Sequence, residues 1–120
     1  LDADCLAPIA ANTTLKILHT VGQGHVPVAV SSFKGVNPFP DPWRWHGITV
    51  DTLPMLNALP PATYNRHLSS VPGEVFFTQL LLAQAEPVTI VATGPLSNLA
   101  HALSTSVGAA AAGKVAEVWW

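Results

Sequence analysis

Three groups of residues have the types and spacing to do chemistry: Asp2 and Asp4, Trp43 among its prolines, and the Thr93-Gly94 turn. Two acids separated by one residue on an extended segment point to the same side. Thr93 and Gly94 follow the β-branched run Val88-Thr89-Ile90-Val91, and in an open parallel sheet ligands collect at the carboxyl ends of such strands. If Asp2 and Asp4 end a strand of the same sheet, acids and turn share one edge. The same aspartates also suit a turn that caps a helix starting at Leu6.

In Asn37-Pro38-Phe39-Pro40-Asp41-Pro42-Trp43-Arg44-Trp45-His46-Gly47 the prolines stiffen the backbone, so that an indole can be held in place. A flat indole face suits stacking on a heterocyclic base, worth about 1–3 kcal/mol per base. A tryptophan folding its loop onto the core would leave the same sequence. Asn12 reads as a solvent-facing or backbone-bonded side chain inside a helix. His19, His25, His67 and His101 are scattered singly, so no His/Cys metal site is supported. No Ser/His/Asp order, P-loop or dinucleotide fingerprint is present, since Gly22-Gln23-Gly24 lacks a third glycine and follows a helix.

The elements that must position these residues alternate. Leu6, Ile9, Ala10, Thr13 and Ile17 predict one helical face, with Asn12 and Lys16 elsewhere, ended by Gly22 and Gly24. Pro27 to Val30 predicts a short strand. From Ser31 to about Pro72 prolines and glycines break the pattern, which predicts a long functional loop with a short helix around Met55 to Ala58. Glu74 to Gln84 predicts a helix with Phe76, Leu80 and Ala83, or Phe77, Leu80 and Leu81, facing in. Leu96, Leu99, Ala100 and Leu103 predict another after the strand at Val88, with Pro95 at its first position. Val115 to Trp120 predicts a last strand. The fold class is therefore α/β, part of a parallel open sheet with helices on both faces.

A chain of 120 residues, 49% of them hydrophobic, bounds the answer to one domain with enough apolar surface for a core. Only 10% of residues are charged and the net charge is −2, which leaves no basic stripe for nucleic acid. No apolar run has the roughly 20 residues that span a bilayer, and no signal peptide is visible. The single cysteine, Cys5, excludes an internal disulfide framework and suits a reducing compartment, so the expected location is cytoplasmic. The chain opens on Leu-Asp-Ala-Asp like the exit of a strand and closes on an aromatic strand, Val118-Trp119-Trp120, which predicts a fragment incomplete at both ends.

Asp2-Ala3-Asp4-Cys5, Val36-Asn37-Pro38-Phe39-Pro40 with Trp43-Arg44, Met55-Leu56-Asn57, and Val91-Ala92-Thr93-Gly94-Pro95-Leu96-Ser97-Asn98 together resemble the nucleoside hydrolases, within them the branch preferring inosine, adenosine and guanosine. The resemblance runs nearly end to end and would correspond to the N-terminal third of such an enzyme, with residues 1–120 a partial domain and about 31–72 its Pro-rich active-site loop. It implies an α/β sheet enzyme that hydrolyses the N-glycosidic bond of purine ribonucleosides to free base and ribose, with Ca2+ as cofactor and a homo-oligomer as the full-length state.

Carried onto this chain, the resemblance makes the Thr93 main-chain carbonyl a calcium ligand and Asp4 a catalytic, ribose-side residue at a strand end. It makes Trp43 the indole that stacks on the purine and His46, in His46-Gly47, a second candidate for proton delivery. Asn12 falls near the pocket only by position. The family's Asp-x-Asp-x-x-x-Asp-Asp pattern, which supplies metal carboxylates and a base for water, does not occur in these 120 residues. The chain by itself is thus expected to be inert. The alternative is a non-catalytic domain of the same lineage, with Trp119 and Trp120 as a partner surface.

Overall fold

The computed structural model describes residues 5–33, 39–58 and 60–120. The first helix, α1, spans Ala7–Thr20 and carries Pro8 in its first turn, where the missing N–H has no helical partner to lose. It ends as the glycines predict, with Gly22 at φ 77° and its N–H on the His19 carbonyl. Its buried face differs from the predicted one. Ala7, Ala11 and Leu15, spaced by four, are buried, whereas Ile17 is 42% exposed. Ala11 and Leu15 pack with Val28 and Tyr64, and Leu18 and Val30 flank them. Lys16, expected away from the packed face, is buried.

Pro27 to Val30 is not a strand. Val28 forms a single parallel bridge to Leu68, because residues 67–73 take its backbone groups: Val28 N–H donates to the His67 carbonyl (3.0 Å), and the Val28 and Val30 carbonyls accept from Ser69 and Gly73 (2.7 Å each).

The expected loop from Ser31 to Pro72 is built largely of short helical turns. These are α2 (Asp41–Arg44), α3 (Gly47–Asp51), a 3-10 turn at Pro54–Leu56, α4 (Pro61–Tyr64) and a second 3-10 turn at Asn65–His67. Three prolines stand at the first or second position of these turns, where a fixed φ starts a helix instead of breaking one.

Helix α5 (Gly73–Leu82) buries Thr78 and Leu81, while Leu80, expected inside, is 48% exposed. Strand β1 (Val88–Val91) and strand β2 (Val115–Trp119) pair in parallel, Ile90 opposite Val118 and Val91 opposite Trp119. Between them run α6 (Ser97–Ser104) and α7 (Ser106–Ala111), which pack on each other and on α5. The α/β class is as expected. Helix α6 begins at Ser97, two residues later than Pro95 suggested, so Thr93-Gly94-Pro95 forms an open turn. Among the described residues no helix is long and apolar enough to cross a membrane.

Candidate functional site

Beyond β1 the chain turns through Thr93 and Gly94 and leaves Thr93 exposed at the strand tip. No described residue donates a hydrogen bond to its carbonyl. The turn walls a cleft of about 540 Å³, whose other side is formed by Cys5 and by Ala10 of α1. A volume of that order accommodates a small organic ligand. Asp2 and Asp4 lie outside the described residues, but Cys5, next in sequence to Asp4, borders the cleft.

The Trp43 segment meets the same end of α1. Leu6 N–H donates to the Arg44 carbonyl at 3.3 Å. A Cβ on Gly47 would stand 3.1 Å from Ile9 Cγ2 and 3.7 Å from Cys5 Sγ, so glycine lets α3 lie against the residues that border the cleft. Trp43 itself is 60% exposed, in tilted contact with Phe39 at 5.8 Å between ring centroids. The indole does not fold its segment onto the core. Arg44 does, buried with Nη1 donating to Asp41 Oδ1 at 2.9 Å. His46 is exposed between α2 and α3, its N–H on the Trp43 carbonyl at 3.2 Å.

Asn12 stands apart from the Thr93 cleft, in the joint between α1 and α3. Its amide nitrogen donates to Asp51 Oδ1 (2.8 Å) and Oδ2 (3.0 Å), and the Thr13 hydroxyl adds a bond to Oδ1 at 3.2 Å. Lys16 Nζ completes the joint with bonds to Asp51 Oδ1, the Asp51 carbonyl and Asn57 Oδ1. The pairing of Lys16 with Asp51 and Asn57 carries no signal in the sequence. Asn12 and Lys16 at i and i+4 do signal a polar stripe on a helix, but the acceptors lie 35 and 41 residues further on, where spacing carries no information.

A smaller cavity of about 220 Å³ shares Phe77, Ala92, Asn98 and Leu99 with the Thr93 cleft, and Ser31 and Glu74 also line it. Burial pushes the Glu74 carboxyl up, but hydrogen bonds from the Ser32 hydroxyl, its own N–H, the Ser32 N–H and the Ser31 hydroxyl outweigh it, and the pKa falls to about 2.

The fit of a calcium ion can be tested on the described donors. Calcium takes about six to eight oxygen ligands. Thr93 offers one carbonyl, and among the described residues no three His, Cys, Asp or Glu side chains stand together. The described residues do not by themselves fit a calcium ion.

No family model matches the chain, and no curated protein does. Among solved structures it is similar to an inosine-uridine preferring nucleoside hydrolase from Bacillus anthracis, with a TM-score of 0.84 and 34% identity over 97% of this chain. The chain spans 37% of the length of that relative. At that identity a backbone matched nearly end to end, with the Thr93 turn closing a cleft at the strand tip, assigns the chain to the nucleoside hydrolase family.

Proposed function

We propose that these residues form part of a purine nucleoside N-ribohydrolase, with the base held against Trp43 and the ribose directed toward Thr93. The supporting observation is that the Trp43 segment meets residues 5–9, that the Thr93 turn faces Cys5 and Ala10 across the cleft, and that the indole stays in solvent. The reaction breaks the C1′–N bond. Water oxygen bonds to C1′, and the water protons are shared between the departing base and the new sugar hydroxyl. Positive charge develops on the ribosyl ring and negative charge on the base, so groups of both kinds are needed. The Thr93 carbonyl dipole and the Asp4 carboxylate face the first need. An indole stacked on the purine favours its protonation by a cation–π effect, and His46 is a second donor on the same segment. The reading includes a cytoplasmic, homo-oligomeric protein and assigns hydrolysis to a polypeptide that also supplies carboxylates beyond those of these 120 residues.

The test is release of free base by the polypeptide that carries this chain, with inosine and uridine compared. Faster release from inosine is expected. Equal rates would remove the purine preference, and no release from either would overturn the enzyme reading. A second reading, a non-catalytic binding domain, draws on the exposed apolar end of β2, where Trp119 and Trp120 are 63% and 88% exposed. Lack of base release would favour it.

A further inference from the structure

We infer that Lys16 is a positioning residue whose buried ammonium fixes where the Trp43 segment stands relative to the Thr93 cleft. The inference rests on the reading that Trp43 stacks on a purine.

Lys16 is 4% exposed, and burying an ammonium is unfavourable unless its donors are used. Here they are used by one short segment. Nζ donates to Asp51 Oδ1 at 2.9 Å, to the Asp51 carbonyl at 2.9 Å and to Asn57 Oδ1 at 2.7 Å. Asn57 closes the loop by donating through Nδ2 to the carbonyls of Asp51 (2.8 Å) and Leu53 (3.1 Å). A buried pair of this kind is weak evidence of net stability, and in some proteins such a pair fixes registry.

That registry reaches Trp43 because no free joint separates them. Trp45 N–H bonds the Asp41 carbonyl, His46 the Trp43 carbonyl, Ile48 the Trp45 carbonyl and Thr49 the His46 carbonyl, so α2 and α3 run on as one helical stretch. Its far end is held at Asp51 by Lys16, Asn12 and Thr13. Its near end is held by the Leu6–Arg44 bond. Helix α1 supplies the first three residues and, through Ala10, also lines the Thr93 cleft. One helix therefore sets both the cleft wall and the distance at which the indole stands from it.

The experiment uses the full chain with Trp45, Trp119 and Trp120 changed to Phe, leaving Trp43 as the sole indole. Adenine is titrated against its fluorescence, and its anisotropy is read alongside. Lys16→Met is expected to raise the adenine Kd about tenfold, as when only about a tenth of the molecules hold the segment docked, and to lower the anisotropy of Trp43 while far-UV circular dichroism is retained. A merely structural lysine would lower the urea midpoint yet leave Kd and anisotropy unchanged well below the transition, and that result overturns the inference. If Lys16→Met does not fold, Asn57→Ala, an exposed position, is expected to shift both readouts in the same direction by about threefold in Kd; no shift overturns it. If adenine never quenches the starting protein, the stacking reading falls, and the anisotropy alone decides the role of Lys16.

Discussion

The Glu74 carboxylate accepts a hydrogen bond from the Ser31 hydroxyl at 3.0 Å, so the first turn of α5 is tied to the chain just after the Val28–Leu68 bridge. The Ser32 N–H (3.1 Å) and hydroxyl complete the tie. These bonds favour the charged carboxylate and set its pKa near 2, below the ordinary value of 4.5. A carboxyl depressed on folding stabilises the protein fully above about pH 4.5, and the contribution is lost as the pH falls from there toward 2. Glu74→Gln should cost about 1 kcal/mol at pH 7, a charged hydrogen bond discounted for solvent. Urea midpoints of the two proteins should converge between pH 7 and pH 3, and a constant gap across that range would exclude this origin.

How far the sequence carried the fold is clearest at its two ends of difficulty. The strand at Val88 and the helix after it were legible because β-branched residues and leucines repeat at strand and helix periods. The segment 39–67 was not, because proline breaks a helix interior yet opens a helix at its first turn, and its place in the helix is fixed only by the fold. The exposed place of Thr93 at the end of β1 was legible from the β-branched run before it. The joint of Lys16 with Asp51 and Asn57 was not, since it brings together residues 35 and 41 apart through tertiary packing.

The packing of α7 on α6 leaves no room for a side chain at Gly108. A Cβ there would lie 1.9 Å from the Ala102 carbonyl oxygen and 2.7 Å from Leu103 Cα, and both belong to helix backbone that cannot swing away. Gly108→Ala should destabilise by about 3 kcal/mol, the upper range for overpacking. Gly113→Ala, where nothing lies within 4 Å, should change stability by about 0.5 kcal/mol or less. Thr105 Oγ1 accepts from Gly108 N–H at 2.9 Å as the N-cap of α7, so Thr105→Ala should cost about 1 kcal/mol. Equilibrium urea unfolding ranks the three.

Leu80 and Leu81 are adjacent and of one type, yet only Leu81 is buried, at 2% exposure against 48%. Leu81→Ala should cost about 2–5 kcal/mol, since it removes methyl groups from a packed site and leaves a cavity. Leu80→Ala should cost about 1 kcal/mol or less. The pair settles which face of α5 carries the core, and equal costs would turn the helix by about 100° from the orientation described.

Trp43 is 60% exposed and its ring contact is with Phe39, so the indole contributes little to folding. Trp43→Ala should lower stability by about 1 kcal/mol or less, the range of one aromatic pair. Its effect on a purine nucleoside should be larger, because stacking on a base is worth about 1–3 kcal/mol. At about 1.4 kcal/mol per decade, that is a loss of roughly 5- to 150-fold in affinity. Trp43→Phe keeps a ring face and should recover part of it. Trp45, 51% exposed and two residues on, points from a different side of the same helical stretch. Trp45→Ala should leave the affinity unchanged. Titration with inosine by calorimetry, alongside urea unfolding of each variant, separates the two tryptophans: a loss that follows Trp45, or follows both equally, would mean that the exposed aromatics bind purines without the placement that the α1–α3 joint provides.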